Sequence, residues 1–95
     1  MQNNVTVSIK FMPAVAPEEV HPTVHKAINI IDSWGIKYEV GPSNTTLEGN
    51  LTEILGKIDE LCKKMSKETS RFAVFIDIDY CNEGISIEEK IEKYR

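Results

Sequence analysis

Residues 36–49, IKYEVGPSNTTLEG, contain two short segments joined by a turn, and they decide the fold. In residues 36–40 apolar and charged residues alternate, which is the period of a half-buried strand. Residues 41–44, GPSN, have turn chemistry, and residues 45–49 form a second extended segment. Two such segments joined by a short turn predict a β-hairpin.

One amphipathic helix is predicted on each side of the hairpin. Before it, apolar residues recur at three- and four-residue steps from Val20 to Trp34, and Gly35 supplies the helix end. Pro22 is predicted in the first turn, because an interior proline loses a hydrogen bond and clashes with the preceding turn. After the hairpin, Asn50 and Glu53 form a capping box ahead of a second apolar stripe.

Two further strands and a terminal helix complete the pattern. Residues Val5 to Phe11 and Arg71 to Asp79 alternate strictly, which predicts strands, and residues 12–17 are predicted to be a connection. Near the end of the chain, Ser86 begins a highly charged helix that is predicted to reach Tyr94. Its apolar stripe is narrow, so we expect this helix to dock on a partner subunit.

The order β-α-β-β-α-β predicts a ferredoxin-like α+β sandwich, with an antiparallel sheet of order 4-1-3-2 and an extra C-terminal helix, in a single domain over residues 1–95. Both helices then cover one sheet face, and the apolar strand residues point toward them. The other face is predicted to carry mostly polar side chains, namely Ser8, Lys10, Thr46, Glu48, Phe75 and Asp77. Lys10 is expected to form an ion-pair cluster with Glu48 and Asp77.

Composition limits the class of partner. Hydrophobic residues make up 41% and charged residues 27% of the chain, which is close to an ordinary globular average. The formal net charge of −4 argues against a nucleic acid or an anionic membrane, because both need a basic surface. The first twenty residues have no targeting pattern, so the cytoplasm is the expected compartment. Cys62 and Cys81 are in no CxxC arrangement, and Cys62 is predicted in the core.

Other functions on this topology have little support in the sequence. RNA-binding domains place aromatic residues on the two central strands, where this chain has Ser8, Lys10, Thr46 and Glu48. The connection at residues 12–17 contains neither the arginine of an acylphosphatase nor the CxxC of a metallochaperone. His21 and His25 have a spacing that zinc sites use, but no third ligand is recognisable, and no metal or cofactor is predicted.

The hairpin is the stretch whose chemistry suits a small ligand. Its sequence GPSNTTLEGN brings two threonines and a carboxylate into one short strand. Hydroxyl and carboxylate groups pair well with an aminopyrimidine, whose ring nitrogen and exocyclic amine present an acceptor and a donor side by side. The alternative is a hairpin whose threonines only favour strand geometry.

Three motifs resemble the small thiamine-binding, YkoF-like proteins of bacteria and archaea. They are VSIKFMP at residues 7–13, YEVGPSNTTLEG at residues 38–49 and GISIEEKIEKY at residues 84–94. The resemblance implies a ferredoxin-like fold, assembly into homodimers or homotetramers through sheet packing, and binding of thiamine or its hydroxymethylpyrimidine portion without catalysis. A carrier or sensor in vitamin supply is the expected role. The alternative is a ligand-free homo-oligomeric interaction module that uses the open sheet face.

The resemblance also implies a set of binding residues. Thr45 corresponds to the motif threonine and Glu48 to the motif glutamate, so these two are the first candidates. Ser8, Lys10 and Asn44 are added because the predicted topology brings them near the hairpin. Lys10 places a positive charge where the resemblance implies an uncharged residue.

Overall fold

The computed structural model describes the backbone of residues 4–94 and shows the predicted sandwich. Its elements follow in the order β1 (Val5–Pro13), α1 (Pro17–Asp32), β2 (Lys37–Val40), β3 (Thr45–Gly49), α2 (Leu51–Met65), β4 (Phe72–Asp79) and α3 (Ile87–Ile91), which a 3₁₀ turn (Glu92–Tyr94) extends. The sheet order is β2-β3-β1-β4 with every pair antiparallel, which confirms the predicted 4-1-3-2 arrangement. Within the described residues, no helix is long and apolar enough to cross a bilayer.

The core lies between the sheet and helices α1 and α2. Its buried side chains come from the central strands and from the facing stripes of the two helices: Val5, Val7, Ile9, Leu47, Ala27, Ile31, Ile54, Ile58, Leu61 and Met65. Phe11 and Phe72 extend this core along the β1–β4 pair, with ring centroids 5.0 Å apart. The alternation seen in the sequence therefore identifies the correct face of β1 and β3.

The two edge strands are less covered than their pattern predicts. Val40, Ile76 and Ile78 share the helix-side face with Ile9 and Val7 through the sheet register, as expected. Each nevertheless remains more than 40% exposed. Two helices are too narrow to cover four strands, so the outer strands extend past them. Cys62, predicted in the core, is only half-buried.

Helix α1 begins earlier than predicted. Pro17 occupies its first turn, where the missing N–H is no loss and the fixed φ suits the helix. Pro22 therefore lies inside the helix and not in its first turn, which corrects the prediction. The error arose because Pro17 was assigned to the connection, leaving Pro22 as the proline nearest the start.

The second helix and its cap form as predicted. The Asn50 side chain accepts a hydrogen bond from the Glu53 backbone N–H at 2.9 Å. This bond satisfies one of the free donors at the helix start. Gly35 has φ = 71°, the left-handed conformation that ends α1 at little cost for glycine.

The C-terminal helix packs on its own chain through Ile87, which is only 5% exposed. Its docking on a partner subunit stays a prediction. Ser86 caps the helix by accepting from the Glu89 N–H at 3.1 Å, as the sequence indicates. The α-helix ends at Ile91, three residues before the predicted limit, and continues as the 3₁₀ turn.

Candidate functional site

The sheet face opposite α1 and α2, called the open face, is organised in cross-strand rows of side chains. The register places Lys37, Glu48, Thr6 and Asp79 side by side across the four strands, and this set is called the covered row. The next set along the strands, called the open row, consists of Glu39, Thr46, Ser8 and Asp77. Directly opposed residues in an antiparallel sheet point to the same face, so each row is a line of neighbours.

Helix α3 lies over the covered row. Glu48 Oε1 accepts a hydrogen bond from the Ile87 backbone N–H at 2.8 Å. The Lys90 ammonium donates to Asp79 Oδ2 at 2.5 Å and to Thr6 Oγ1 at 3.1 Å. Thr6 is consequently 2% exposed, although it lies on the face that the two long helices leave uncovered.

A further ion pair, between Lys37 and Glu88, joins α3 to strand β2. The helix therefore has charged contacts at both edges of the sheet and a hydrogen bond at its first residue. Since α3 has only five residues, these contacts to the sheet, more than its own backbone bonds, hold it in place.

A cleft of about 230 Å³ lies between the open row and α3. Its lining combines the polar floor of the sheet with an apolar wall: Thr6, Ser8, Glu39, Thr46, Asp77, Ile78, Asp79, Ile87, Lys90 and Ile91. Ligand pockets in proteins usually have volumes of roughly 300–1,000 Å³. At about 230 Å³ this cleft lies below that range, which favours a ligand with one ring over a larger one.

The floor of the cleft offers paired hydrogen-bonding groups. Ser8 and Thr46 are opposed at its centre, and each hydroxyl both donates and accepts. Glu39 and Asp77 lie at the two ends of the same row and supply carboxylate acceptors. On the opposite wall, the half-buried Ile91 provides apolar surface for a ring. This arrangement can hold a flat heterocycle by hydrogen bonds at its edge and by packing on its face.

Of the predicted site residues, Ser8 lies in this cleft. Its hydroxyl accepts a hydrogen bond from the Asn44 side-chain amide at 2.6 Å, so Asn44 orients the Ser8 hydroxyl from the end of the hairpin. Glu48 lies beside the cleft and fixes α3 through Ile87. These three predicted residues therefore belong to one connected region.

Thr45 and Lys10 lie elsewhere. Thr45 is opposite Ile9 on the helix-side face and is 6% exposed, so the sheet separates it from the cleft. Thr45 and Lys10, together with Asn44, border a second cavity, of about 280 Å³, between the hairpin and α1. The first two candidates, Thr45 and Glu48, are not brought together.

The predicted ion-pair cluster around Lys10 does not form among the described residues. Glu48 is opposite Thr6, four residues before Lys10 on β1, which is a separation of roughly 13 Å along the strand. Lys10 is opposite Phe75, with Asp77 two residues further along β4. The expectation was wrong because it considered only which face of the sheet each side chain points to. It did not consider which residues the strand register places opposite one another.

Several lining residues were not among the sequence candidates. Thr46 and Asp77 were placed on the open face but not in the site, and Glu39 shares their row through its pairing with Thr46. Working out the hairpin register would have identified Glu39. Lys90 and Asp79 meet only because α3 folds back on the sheet, and no local sequence signal indicates that.

His21 and His25 are both exposed on α1. Across residues 4–94 there is no group of three or more histidine, cysteine, aspartate or glutamate side chains placed to hold a metal ion.

Comparison with known proteins gives consistent matches over nearly the whole chain. A family model described as thiamine-binding protein matches residues 7–95. The UPF0045 protein CPE1503 of Clostridium perfringens is 38% identical over 92 residues, covering 94% of this chain and 95% of that protein.

Solved structures extend the likeness to the fold. TM0486 of Thermotoga maritima, described as a candidate thiamine biosynthesis/salvage protein, is 51% identical with a TM-score of 0.94, and the match covers 97% of this chain and 99% of that one. A Bacillus cereus domain of unknown function, DUF77, is 33% identical with a TM-score of 0.87, covering 98% of this chain and 91% of that one.

Proposed function

The chain belongs to the thiamine-binding protein family, and we propose that it binds thiamine or its hydroxymethylpyrimidine portion in the cleft between the open row and α3. The observation that carries this proposal is the open row itself. Its centre has the hydroxyls of Ser8 and Thr46, and its ends have the carboxylates of Glu39 and Asp77. An aminopyrimidine needs donors for its ring nitrogens and an acceptor for its amine, and this row offers both.

The shape of the cleft supports the same ligand. Ile91 of α3 lines the cleft and is half-buried, so a planar ring can lie against its apolar surface while the ring edge reaches the hydroxyls. A few placed polar groups within an otherwise apolar pocket are typical of small-molecule sites.

We propose that the role is binding and not catalysis. The Ser8 hydroxyl accepts from the Asn44 amide, which cannot remove a proton, and among the described residues it forms no hydrogen bond to the Asp77 carboxylate opposite it. A nucleophilic serine needs a general base within hydrogen-bond reach. Among the described residues that line the cleft there is no histidine or cysteine. A cytoplasmic carrier or sensor in vitamin supply fits a protein that holds a ligand without transforming it.

Assembly into homodimers or homotetramers is part of the proposal. Strand β4 has a free edge of eight residues, and the exposed side chains Phe75, Ile76 and Ile78 project from it. Exposed apolar edge strands tend to pair with another strand. The same observation supports the second candidate function, a homo-oligomeric interaction module that holds no ligand.

The test is isothermal titration of the protein with thiamine and, separately, with hydroxymethylpyrimidine, on the wild type and on Ser8→Ala. Ser70→Ala, in an exposed position before β4, is the matched control. We expect micromolar binding that Ser8→Ala weakens about fivefold, because one hydrogen bond contributes roughly 1 kcal/mol and 1.4 kcal/mol is tenfold in affinity. Ser70→Ala should bind like the wild type.

Absence of heat with both compounds, from a folded protein, would contradict ligand binding. In that case size-exclusion chromatography with light scattering on the wild type and on Ile76→Lys tests the second candidate. A charge placed at the β4 edge should then dissociate the oligomer.

A further inference from the structure

Strand β4 is both a wall of the cleft and an edge of the sheet. Asp77, Ile78 and Asp79 line the cleft, and among the described residues β4 pairs only with β1. The sheet that forms the floor of the cleft therefore ends at β4. The cleft is smaller than most ligand pockets, so a further strand along β4 would enlarge the site.

The backbone of β4 directs alternate residues toward its free edge. The Ala14 N–H donates to the Arg71 carbonyl at 2.9 Å, and these two residues are opposed when the β1–β4 register is continued by one step. Such hydrogen-bonded pairs alternate with pairs whose N–H and C=O groups point away from the neighbouring strand. The residues that direct both groups away from β1 are therefore Phe72, Val74, Ile76 and Ile78. They form a row of donors and acceptors that another strand can pair with.

A second copy of the same strand satisfies this edge best when Phe75 lies opposite itself. In an antiparallel pair with its two-fold axis at Phe75, Phe72 is opposite Ile78 of the partner subunit, and Val74 is opposite Ile76 of the partner subunit. All four outward residues then exchange hydrogen bonds across the edge. A register centred on Val74 or Ile76 leaves one of the four beyond the end of the partner strand, which spans Phe72–Asp79.

The side chains favour the same register. Phe75 is 55% exposed, and Ile76 and Ile78 are both more than 40% exposed, so one edge of the sheet carries a contiguous apolar surface. The pair at the axis is of the non-hydrogen-bonded type, which brings opposed side chains closest, and an aromatic pair is favourable there. Asp77 is opposite Ala73 of the partner subunit, so the like charges of two Asp77 side chains are not opposed.

The same register brings a cation to the cleft, because Asp79 is opposite Arg71 of the partner subunit. Asp79 Oδ2 accepts from Lys90 at 2.5 Å, and no described side chain donates to Asp79 Oδ1. Arg71 is exposed and forms no ion pair within residues 4–94. Opposite charges on directly opposed residues stabilise a strand pair. The lining stays acidic, because the carboxylates of Glu39, Asp77 and Asp79 still outnumber the two cations.

We propose that a second copy of this chain pairs along β4 in the register centred on Phe75, and that Arg71 of the partner subunit binds Asp79 at the outer end of each cleft. This inference rests on the proposed function and deepens it by naming the partner that completes the binding site. The two four-stranded sheets become one continuous sheet. The open row then continues from Asp77 to Ala73 of the partner subunit.

Cysteine cross-linking tests the register. Phe75→Cys places two thiols opposite one another at the axis, where the Cα atoms of a non-hydrogen-bonded pair are about 4.5 Å apart, within the range of a disulfide. Ile76→Cys is the matched control, because its two copies are offset by roughly 7 Å along the strands in addition to the strand separation, too far for a disulfide. After mild oxidation we expect a cross-linked dimer of Phe75→Cys and little of Ile76→Cys. Mass spectrometry of the linked peptides excludes bridges through Cys62 or Cys81.

Charge reversal tests the contact with Asp79. Arg71→Glu turns both symmetry-related contacts into repulsion and should raise the dimer dissociation constant about tenfold, measured by sedimentation equilibrium. Arg71→Lys keeps the charge and should dimerise like the wild type.

Three results would each overturn the inference. They are a monomeric wild type, cross-linking of Ile76→Cys in place of Phe75→Cys, and equal dissociation constants for Arg71→Glu and Arg71→Lys. Isothermal titration with thiamine and with hydroxymethylpyrimidine separates this failure from that of the proposed function. Binding by a monomer would support the proposed function and remove the inference about β4. A dimer linked at position 75 that binds neither compound would support the strand pairing and contradict the proposed function.

Discussion

Thr45 and Glu48 lie three residues apart on β3, and their side chains point to opposite faces of the sheet. Thr45 is opposite the buried Ile9 on the helix side, whereas Glu48 bonds Ile87 on the open face. Side chains alternate along a strand, so an odd spacing always separates two residues in this way. A motif that contains both therefore serves two different environments.

This separation predicts that Thr46 matters to the ligand and Thr45 does not. Thr46→Val removes a hydroxyl from the open row and should weaken hydroxymethylpyrimidine binding about fivefold, the loss of one hydrogen bond of roughly 1 kcal/mol. Thr45→Val, of the same shape on the buried face, should leave the affinity unchanged. Isothermal titration of both variants decides the matter, and a larger effect at Thr45 would place the ligand in the cavity beside α1.

Glu48 is predicted to act on the site by holding α3. Glu48→Ala removes the acceptor of the Ile87 N–H and should speed hydrogen exchange at that amide about tenfold or more, since bonds to charged groups contribute roughly 1.5–3 kcal/mol. Glu48→Gln keeps an acceptor oxygen and should exchange nearly as slowly as the wild type. Exchange is followed by NMR at the Ile87 amide, and equal rates in both variants would show that the bond is not what restrains α3.

The cap of α2 gives a prediction about stability. Asn50→Ala removes the acceptor of the Glu53 N–H and should lower the free energy of unfolding by about 1 kcal/mol. Asn50→Ser retains a capping oxygen and is the matched control. Urea unfolding monitored by circular dichroism measures both, and a loss in the serine variant as large as in the alanine variant would contradict a capping role.

Cys62 is predicted to react slowly with alkylating reagents. Burial, with the Asp59 carboxylate as the second cause, raises the pKa of the Cys62 thiol above its ordinary value of 9.0. Because the thiolate is the reactive form, a raised pKa lowers the reactive fraction at any given pH below it. Iodoacetamide rates on Cys81→Ser should therefore reach half their maximum above pH 9.0. A midpoint below that value would contradict the predicted direction.

Features that depend on local chemistry could be predicted from the sequence. Strand β3 at Thr45–Gly49 and helix α2 at Leu51–Met65 begin and end where turn residues and the Asn50 cap indicate. The site was only partly predictable, because it depends on contacts between distant segments. Lys90 and Thr6 are 84 positions apart in the sequence. No pattern in the sequence marks a lysine and a threonine at that distance as neighbours in the fold.

Helix α3 completes the cleft, but the sheet does not depend on it to bury its core. The four strands and two long helices bury the core without it, whereas α3 rests on a few polar contacts and the buried Ile87. Segments with few buried apolar contacts open at a lower free energy than the rest of a protein. The terminal segment can therefore detach and reattach while the sheet stays folded, and the exchange of a ligand with solvent needs no motion of the strands that form the floor.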